Sequence, residues 1–166
     1  MEDTDLMPFG MHKGKQMQDV PASWLLWFKN EPKSNNFNSD RQAVLDYIDY
    51  NMDVLKKELV KQFLKETKYL ISNGNYEIVN RDKTFRTMAL LGIDFETIKE
   101  IILSLTPKDY FNGPEEDRDI PGEFIWKFGK LFDNREIYIK LKIEDAGDKE
   151  LGKCLSFHVR SEEHTS

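Results

Sequence analysis

Two hydrophobic periods divide this chain. Between about Asp40 and Ile71, Val44, Ile48, Met52, Leu55, Leu59, Phe63 and Leu70 recur at steps of three, four or seven. That spacing places them on one helix face. The stretch contains no Gly or Pro, so it predicts one long helix, with Asn73-Gly74-Asn75 as its left-handed cap. Near the other end the period falls to two. Three alternating segments, Phe124–Lys130, Glu136–Ile143 and Lys153–Val159, predict strands of an antiparallel meander, with Asp133-Asn134 joining the first pair. Between these regions, Tyr76–Val79 predicts a strand, Thr84–Leu91 a short helix closed by Gly92, and Phe95–Leu105 a helix capped by Asp94, with Ile98, Ile101, Ile102 and Leu105 inward. Thr106-Pro107 opens a loop expected to run to Gly122.

The N-terminal region follows another pattern. Residues 1–5 predict a frayed tail, and Leu6–Lys15, with Gly10 and Gly14, two short strands joined by a turn. Val20-Pro21-Ala22-Ser23 starts a helix with the body Trp24-Leu25-Leu26-Trp27-Phe28, which stops before Glu31-Pro32. Ser34–Ser39 predicts a loop. The fold class is therefore α+β: a small module of hairpin and helices over residues 1–58, then a sheet packed against helices over 59–159, with the boundary near residues 57–61 inside the long helix.

Composition narrows the classes. A chain of 166 residues can bury about 70% of its unfolded surface without staples. No apolar run approaches 18 residues, so no membrane-spanning helix is expected. The acidic opening Met1-Glu2-Asp3-Thr4-Asp5 fits no secretory or transit peptide, so the expected location is cytoplasmic. Cys154 is the single cysteine, which excludes an internal disulfide and a cysteine-based zinc site. The formal net charge is −6, unlike most phosphate-grasping proteins. The charge is local, however. Residues 109–123 hold six acids and Arg118, and residues 125–142 hold five bases against Asp133 and Glu136. An acidic segment thus directly precedes a basic one.

Strand parity suggests a site. Ile137, Ile139, Leu141 and Ile143 share one face of their strand, and Tyr138, Lys140 and Lys142 the other. In the last strand Leu155, Phe157 and Val159 form the apolar set, and Cys154, Ser156 and His158 the opposite one. With helices covering the apolar face, Tyr138, Lys140 and His158 meet on the other, and Lys127 joins them if the registers agree. Trp126 belongs to the core. That set suits RNA cleavage without a metal. The 2′-hydroxyl must lose a proton, the 5′-oxygen must gain one, and the phosphorus centre gathers negative charge. Histidine can carry a proton near neutral pH. Lysine can stabilise the charge, and tyrosine can donate to a phosphate oxygen or stack on a base. The strand faces offer no carboxylate cluster for a divalent ion, so no metal and no cofactor is expected. Lys127, Lys130, Lys140 and Lys142 are the expected phosphate contacts.

Two resemblances add to this reading. Met7-Pro8-Phe9-Gly10, Lys13-Gly14-Lys15, Asp19-Val20-Pro21 and Trp24-Leu25-Leu26-Trp27-Phe28 resemble the small family of putative quorum-sensing-regulated virulence factors over about residues 5–58. That family brings no settled activity. Leu91-Gly92-Ile93-Asp94-Phe95, Ile101–Leu105, Pro107–Tyr110, Gly113-Pro114, Ile125–Lys130, Glu136–Lys140 and Leu155–His158 resemble the MqsR-type toxins of toxin–antitoxin systems over about residues 61–159. This resemblance implies a RelE-like fold, a metal-independent endoribonuclease acting on single-stranded mRNA, and neutralisation by a cognate protein antitoxin. It places a catalytic tyrosine on Tyr138, and a family glutamine and lysine on Lys127 and His158. A further family lysine, after the motif containing Tyr110, falls on or near Asn112, which carries no charge. The site expected is therefore Lys127, Tyr138 and His158 for catalysis, with His158 the proton carrier, and Lys130, Lys140, Lys142, Tyr110 and Asn112 for RNA. The rival expectation is a non-catalytic interaction protein that keeps the fold and binds a partner through the acidic segment and the N-terminal module.

Residues 160–166, Arg-Ser-Glu-Glu-His-Thr-Ser, translate a nucleotide string that resembles sequencing-adapter read-through. They are expected to be an artefact, and Arg160 and His164 receive no functional weight.

Overall fold

The computed structural model describes residues 1–31 and 38–160. Most of the suspected adapter segment, and residues 34–37 of the expected loop, lie outside the described residues. The chain divides into two compact units, Met1–Val60 and Lys61–Ser166.

In the first unit, helices α1 (Ala22–Asn30) and α2 (Ser39–Tyr50) bury Leu25, Phe28, Val44, Tyr47 and Ile48 with Met7 and Met17. Asn38 caps α2, its Oδ1 accepting from the N–H groups of Asp40 and Arg41. The expected single helix from Asp40 is broken. α2 ends at Tyr50, and α3 (Met52–Ser72) starts afresh and carries the division between the units. Asn51 stands at the break, with φ −100° and ψ 13°, and its side-chain amide donates to the Tyr47 carbonyl at 2.9 Å beside its own backbone N–H. The expected two strands reduce to a single antiparallel bridge, Leu6 to Gln16, because the residues between Gly10 and Gly14 are all spent on turns. Nor do the first residues fray. The carbonyls of Asp3 and Asp5 accept from Gln18 and Met17, and Tyr47 donates to Asp3 at 2.9 Å.

The second unit is built on five strands: β1 (Tyr76–Ile78), β2 (Tyr110–Glu116), β3 (Phe124–Phe132), β4 (Arg135–Asp145) and β5 (Glu150–Val159), in the order β1-β5-β4-β3-β2. The α+β class holds. The sheet is mixed rather than wholly antiparallel, because β1 runs parallel to β5. β2 occupies the region expected to be a loop. Pro and Gly in Asn112-Gly113-Pro114 hide it from pattern reading, and its ladder to β3 shifts register twice. At Gly113, φ is +111° and a Cβ would come within 2.7 Å of the Ile125 carbonyl, so only glycine fits there. Asp133 and Asn134, at φ 51° and 61°, form the two-residue hairpin between β3 and β4.

One face of this sheet is the core. Phe128, Ile137, Ile139, Leu141 and Phe157 are fully buried there, and Phe63 of α3 stacks on Trp126 at 4.9 Å. Helix α5 (Phe95–Leu103) contributes Ile98, Ile101 and Ile102. Its Asp94 cap accepts from Thr97 N–H, which holds the Asp94 carboxyl below its ordinary value. Helix α4 (Asp82–Leu91) serves the edge that β1 leaves uncovered. The hydroxyls of Thr84 and Thr87, one turn apart, accept from the backbone N–H groups of Phe157 and Val159.

Candidate nucleic-acid interface

Pairing across the sheet fixes which side chains meet. Lys127 stands opposite Lys140, which stands opposite Ser156; Tyr138 stands opposite His158. Lys127, Tyr138, Lys140 and His158 therefore share the face away from the hydrophobic core. The expected parity of β5 holds only from Ser156 onward. Between the pairs Lys140–Ser156 and Leu141–Cys154 the ladder skips Leu155. This extra residue reverses the faces before it. Cys154 consequently lies in the core opposite Leu141 at 3% exposure, and Lys153 pairs with Lys142.

The expected RNA contacts separate. Tyr110 belongs to the core side: its ring meets Trp126 and Phe128 edge-on, its hydroxyl donates to the Gly113 carbonyl, and burial raises its pKa. Lys130 shares that side, and its amine reaches Asp109 and the Ser104 carbonyl, both at 3.4 Å. Lys142 is on the polar side but only 2% exposed, held by Asp117 at 2.7 Å and Glu123 at 2.8 Å. Burial pulls its pKa down, and the two carboxylates more than offset this, leaving it raised. The acidic segment thus folds onto the basic one and neutralises it. Asn112 is exposed, paired with Lys127 across the ladder, and its side-chain oxygen accepts from Gly113 N–H. His158 is 3% exposed, with Nδ1 2.8 Å from Ser156 Oγ and its ring edge-on to Tyr138 at 6.0 Å. An imidazole so buried does not meet a bound chain directly.

What remains is a small cleft of about 220 Å³ lined by Phe111, Lys127, Tyr138, Ile139 and Lys140. Phe111 is the residue that sequence reasoning missed. The register shift between Tyr110 and Asn112 leaves it as the extra residue of β2, and its ring lies 5.3 Å from that of Tyr138. Lys127 and Lys140 also line an adjoining cleft of about 290 Å³ with Glu115 to Asp119. There Glu115 pairs with Lys127 at 3.0 Å, and this bond, aided by the charge of Lys140, holds the Glu115 carboxyl below its ordinary value. A larger opening of about 540 Å³ lies around Lys130, between Asp109 and Glu136. It sets one lysine against two carboxylates and has no aromatic surface for a base. Among the described residues no three His, Cys, Asp or Glu side chains gather to hold a metal ion. Among them, too, no helix is long and apolar enough to cross a membrane.

Comparison with known families places a likeness at the other end of the chain. The family described as putative quorum-sensing-regulated virulence factor matches residues 3–35. That is about a fifth of the chain, and it falls where the first resemblance was read but ends earlier. Nothing found speaks for the MqsR-type resemblance over residues 61–159. No curated protein matches.

Proposed function

We propose that the second unit binds single-stranded RNA on its polar sheet face and acts as a metal-independent endoribonuclease of toxin type. The observation that supports this is the Phe111–Tyr138 aromatic pair lining one cleft with Lys127 and Lys140. Aromatic rings with adjacent cations suit a splayed base and its phosphate. In this reading Lys127 and Lys140 hold the phosphate and stabilise the charge that develops on it. Tyr138 donates its hydroxyl proton toward the departing 5′-oxygen, and Phe111 stacks on a base. His158 is a positioning residue that packs against the Tyr138 ring. Proton removal from the 2′-hydroxyl falls to solvent, so the rate enhancement is modest and comes chiefly from charge stabilisation. A cytoplasmic location and a protein antitoxin belong to the same proposal.

A second reading, a non-catalytic interaction protein, draws support from Lys127 and Lys142, which already have carboxylate partners within the chain. Incubation of the protein with a long RNA in EDTA separates the two. Cleavage that Tyr138→Phe and Lys140→Ala each reduce supports the nuclease. Binding without cuts, or cuts equal in wild type and both variants, overturns it.

A further inference from the structure

The first unit carries an aromatic and basic surface that the second unit's proposed activity leaves unused. We propose that the turn over residues 10–15 and the adjoining face of α1 form a separate binding site for single-stranded nucleic acid. The turn is built against Trp24. Gly10 has φ +79°, and a Cβ there would come within 3.2 Å of the Trp24 ring. Glycine thus lets the backbone turn and press on the indole together. His12 meets the same ring edge-on at 5.4 Å, and the Lys15 amine lies 3.1 Å from His12 Nδ1. Trp24 stacks in parallel on Phe28 at 5.4 Å, which fixes it, and touches Trp27 at 5.9 Å. The result is an aromatic platform that ends at the surface in Trp27, 50% exposed.

Charge selects the occupant. Residues 6–18 hold Lys13, Lys15 and His12 and no carboxylate. Asp3, Asp19 and Glu58 line a different cleft of about 390 Å³. Lys13 and Lys15 are exposed on the turn that sets Gly10 and His12 against Trp24. A large aromatic surface beside a positive turn, within an acidic chain, complements a phosphate backbone with bases free to stack. A phosphate alone would have no use for Trp27. A cationic peptide would be repelled.

The test uses the full chain with Lys127 and Lys140 changed to alanine, so that the sheet face does not contribute. The probe is fluorescein-labelled oligo(dT) of six nucleotides, which is not open to 2′-hydroxyl cleavage. Titration should shift the indole N–H resonances of Trp24 and Trp27 and leave that of Trp126, in the second unit's core, in place. Trp27→Ala should weaken binding roughly 5- to 150-fold, the range for losing one base–aromatic stack. Lys13→Ala with Lys15→Ala should reduce the log–log salt slope by about 1.4, at about 0.7 per single-strand phosphate contact. These lysines lie on an exposed turn, so the double variant keeps the test valid if Trp27→Ala unfolds the first unit. Unmoved Trp24 and Trp27 signals, or binding indifferent to the lysine pair, overturns the proposal. So does capture of the protein by phosphatidylserine vesicles with none by the oligonucleotide, which would assign the surface to a membrane.

Discussion

The Lys142 ammonium lies 2.7 Å from the Asp117 carboxylate, inside the fold rather than on its surface. Glu123 completes the arrangement at 2.8 Å and also accepts from the Asp145 backbone N–H. One lysine therefore ties the segment after β2 to the middle of β4. Removing it strands two carboxylates that have little access to water. Lys142→Met should destabilise the second unit by about 3 kcal/mol at neutral pH.

The same contact fixes the sign of the acid response. Bonding to Lys142 holds the Asp117 and Glu123 carboxyls below their ordinary values of 3.8 and 4.5. A depressed carboxyl contributes stability that is whole above its unfolded pKa and is lost as pH falls through its folded pKa. Wild type should hold its melting temperature from pH 7 to about 5 and lose it below the ordinary carboxylate range. The gap between wild type and Lys142→Met should shrink over that same interval. A gap equal at pH 7 and pH 3 would mean that ion pairing is not what Lys142 contributes.

This pairing also shows what the sequence could and could not reveal. Adjacent blocks of opposite charge are visible at residues 109–123 and 125–142, and a hairpin-like return between them is enough to bring them together. The period-two pattern correctly sets Ile137, Ile139 and Leu141 against Tyr138 and Lys140. It cannot announce a bulge, since the inserted Leu155 continues the alternation of Phe157 and Val159. Hence alternation alone puts Cys154 on the wrong face. β2 was invisible because Asn112-Gly113-Pro114 carries turn chemistry inside a strand, and with β2 went Phe111. The buried state of His158 depends on tertiary packing, which alternation does not encode.

Two buried threonines should respond in opposite ways to one substitution. Thr84 accepts from the Phe157 N–H at the open edge of β5. Thr84→Val leaves that buried donor without its partner and should cost about 1–3 kcal/mol. Thr67 is fully buried in α3, and its hydroxyl has no hydrogen-bond partner among the described residues. Thr67→Val removes an unsatisfied polar atom at nearly constant volume and should leave stability unchanged or raise it by up to about 1 kcal/mol. Denaturant titration of both variants checks this, and a loss at Thr67 equal to that at Thr84 would refute it.

The bulge at Leu155 has a chemical readout. Burial pushes the Cys154 thiol up to about 12, with its Sγ 3.5 Å from the Ser156 carbonyl. Its thiolate fraction near pH 8 is then on the order of a thousandfold below that of a free cysteine. A disulfide-exchange reagent should leave the folded protein unlabelled and react fully in guanidinium. Rapid labelling of the native state would restore Cys154 to the solvent-facing side and remove the bulge from the register.

Face assignment on β3 and β4 can be tested by salt as well as by stability. The polar cleft holds two of the four lysines expected to touch phosphate, Lys127 and Lys140, while Lys130 lies on the core side and Lys142 is buried against carboxylates. The probe is a 2′-O-methyl oligoribonucleotide, which resists cleavage, and the protein carries Lys13→Ala and Lys15→Ala to silence the first unit. Two contacts give an expected log–log salt slope of about −1.4. Lys140→Ala should bring it to about −0.7 with little change in folding, and Lys130→Ala should leave it unaltered. Ile139→Ala should do the reverse. Its side chain is fully buried, so truncation should cost about 2–5 kcal/mol while the folded fraction keeps the original slope. A slope that responds to Lys130 but not to Lys140 would put the nucleic acid on the other side of the sheet. The opening between Asp109 and Glu136, rather than the Phe111–Tyr138 cleft, would then take the phosphate, and the proposed interface would fall.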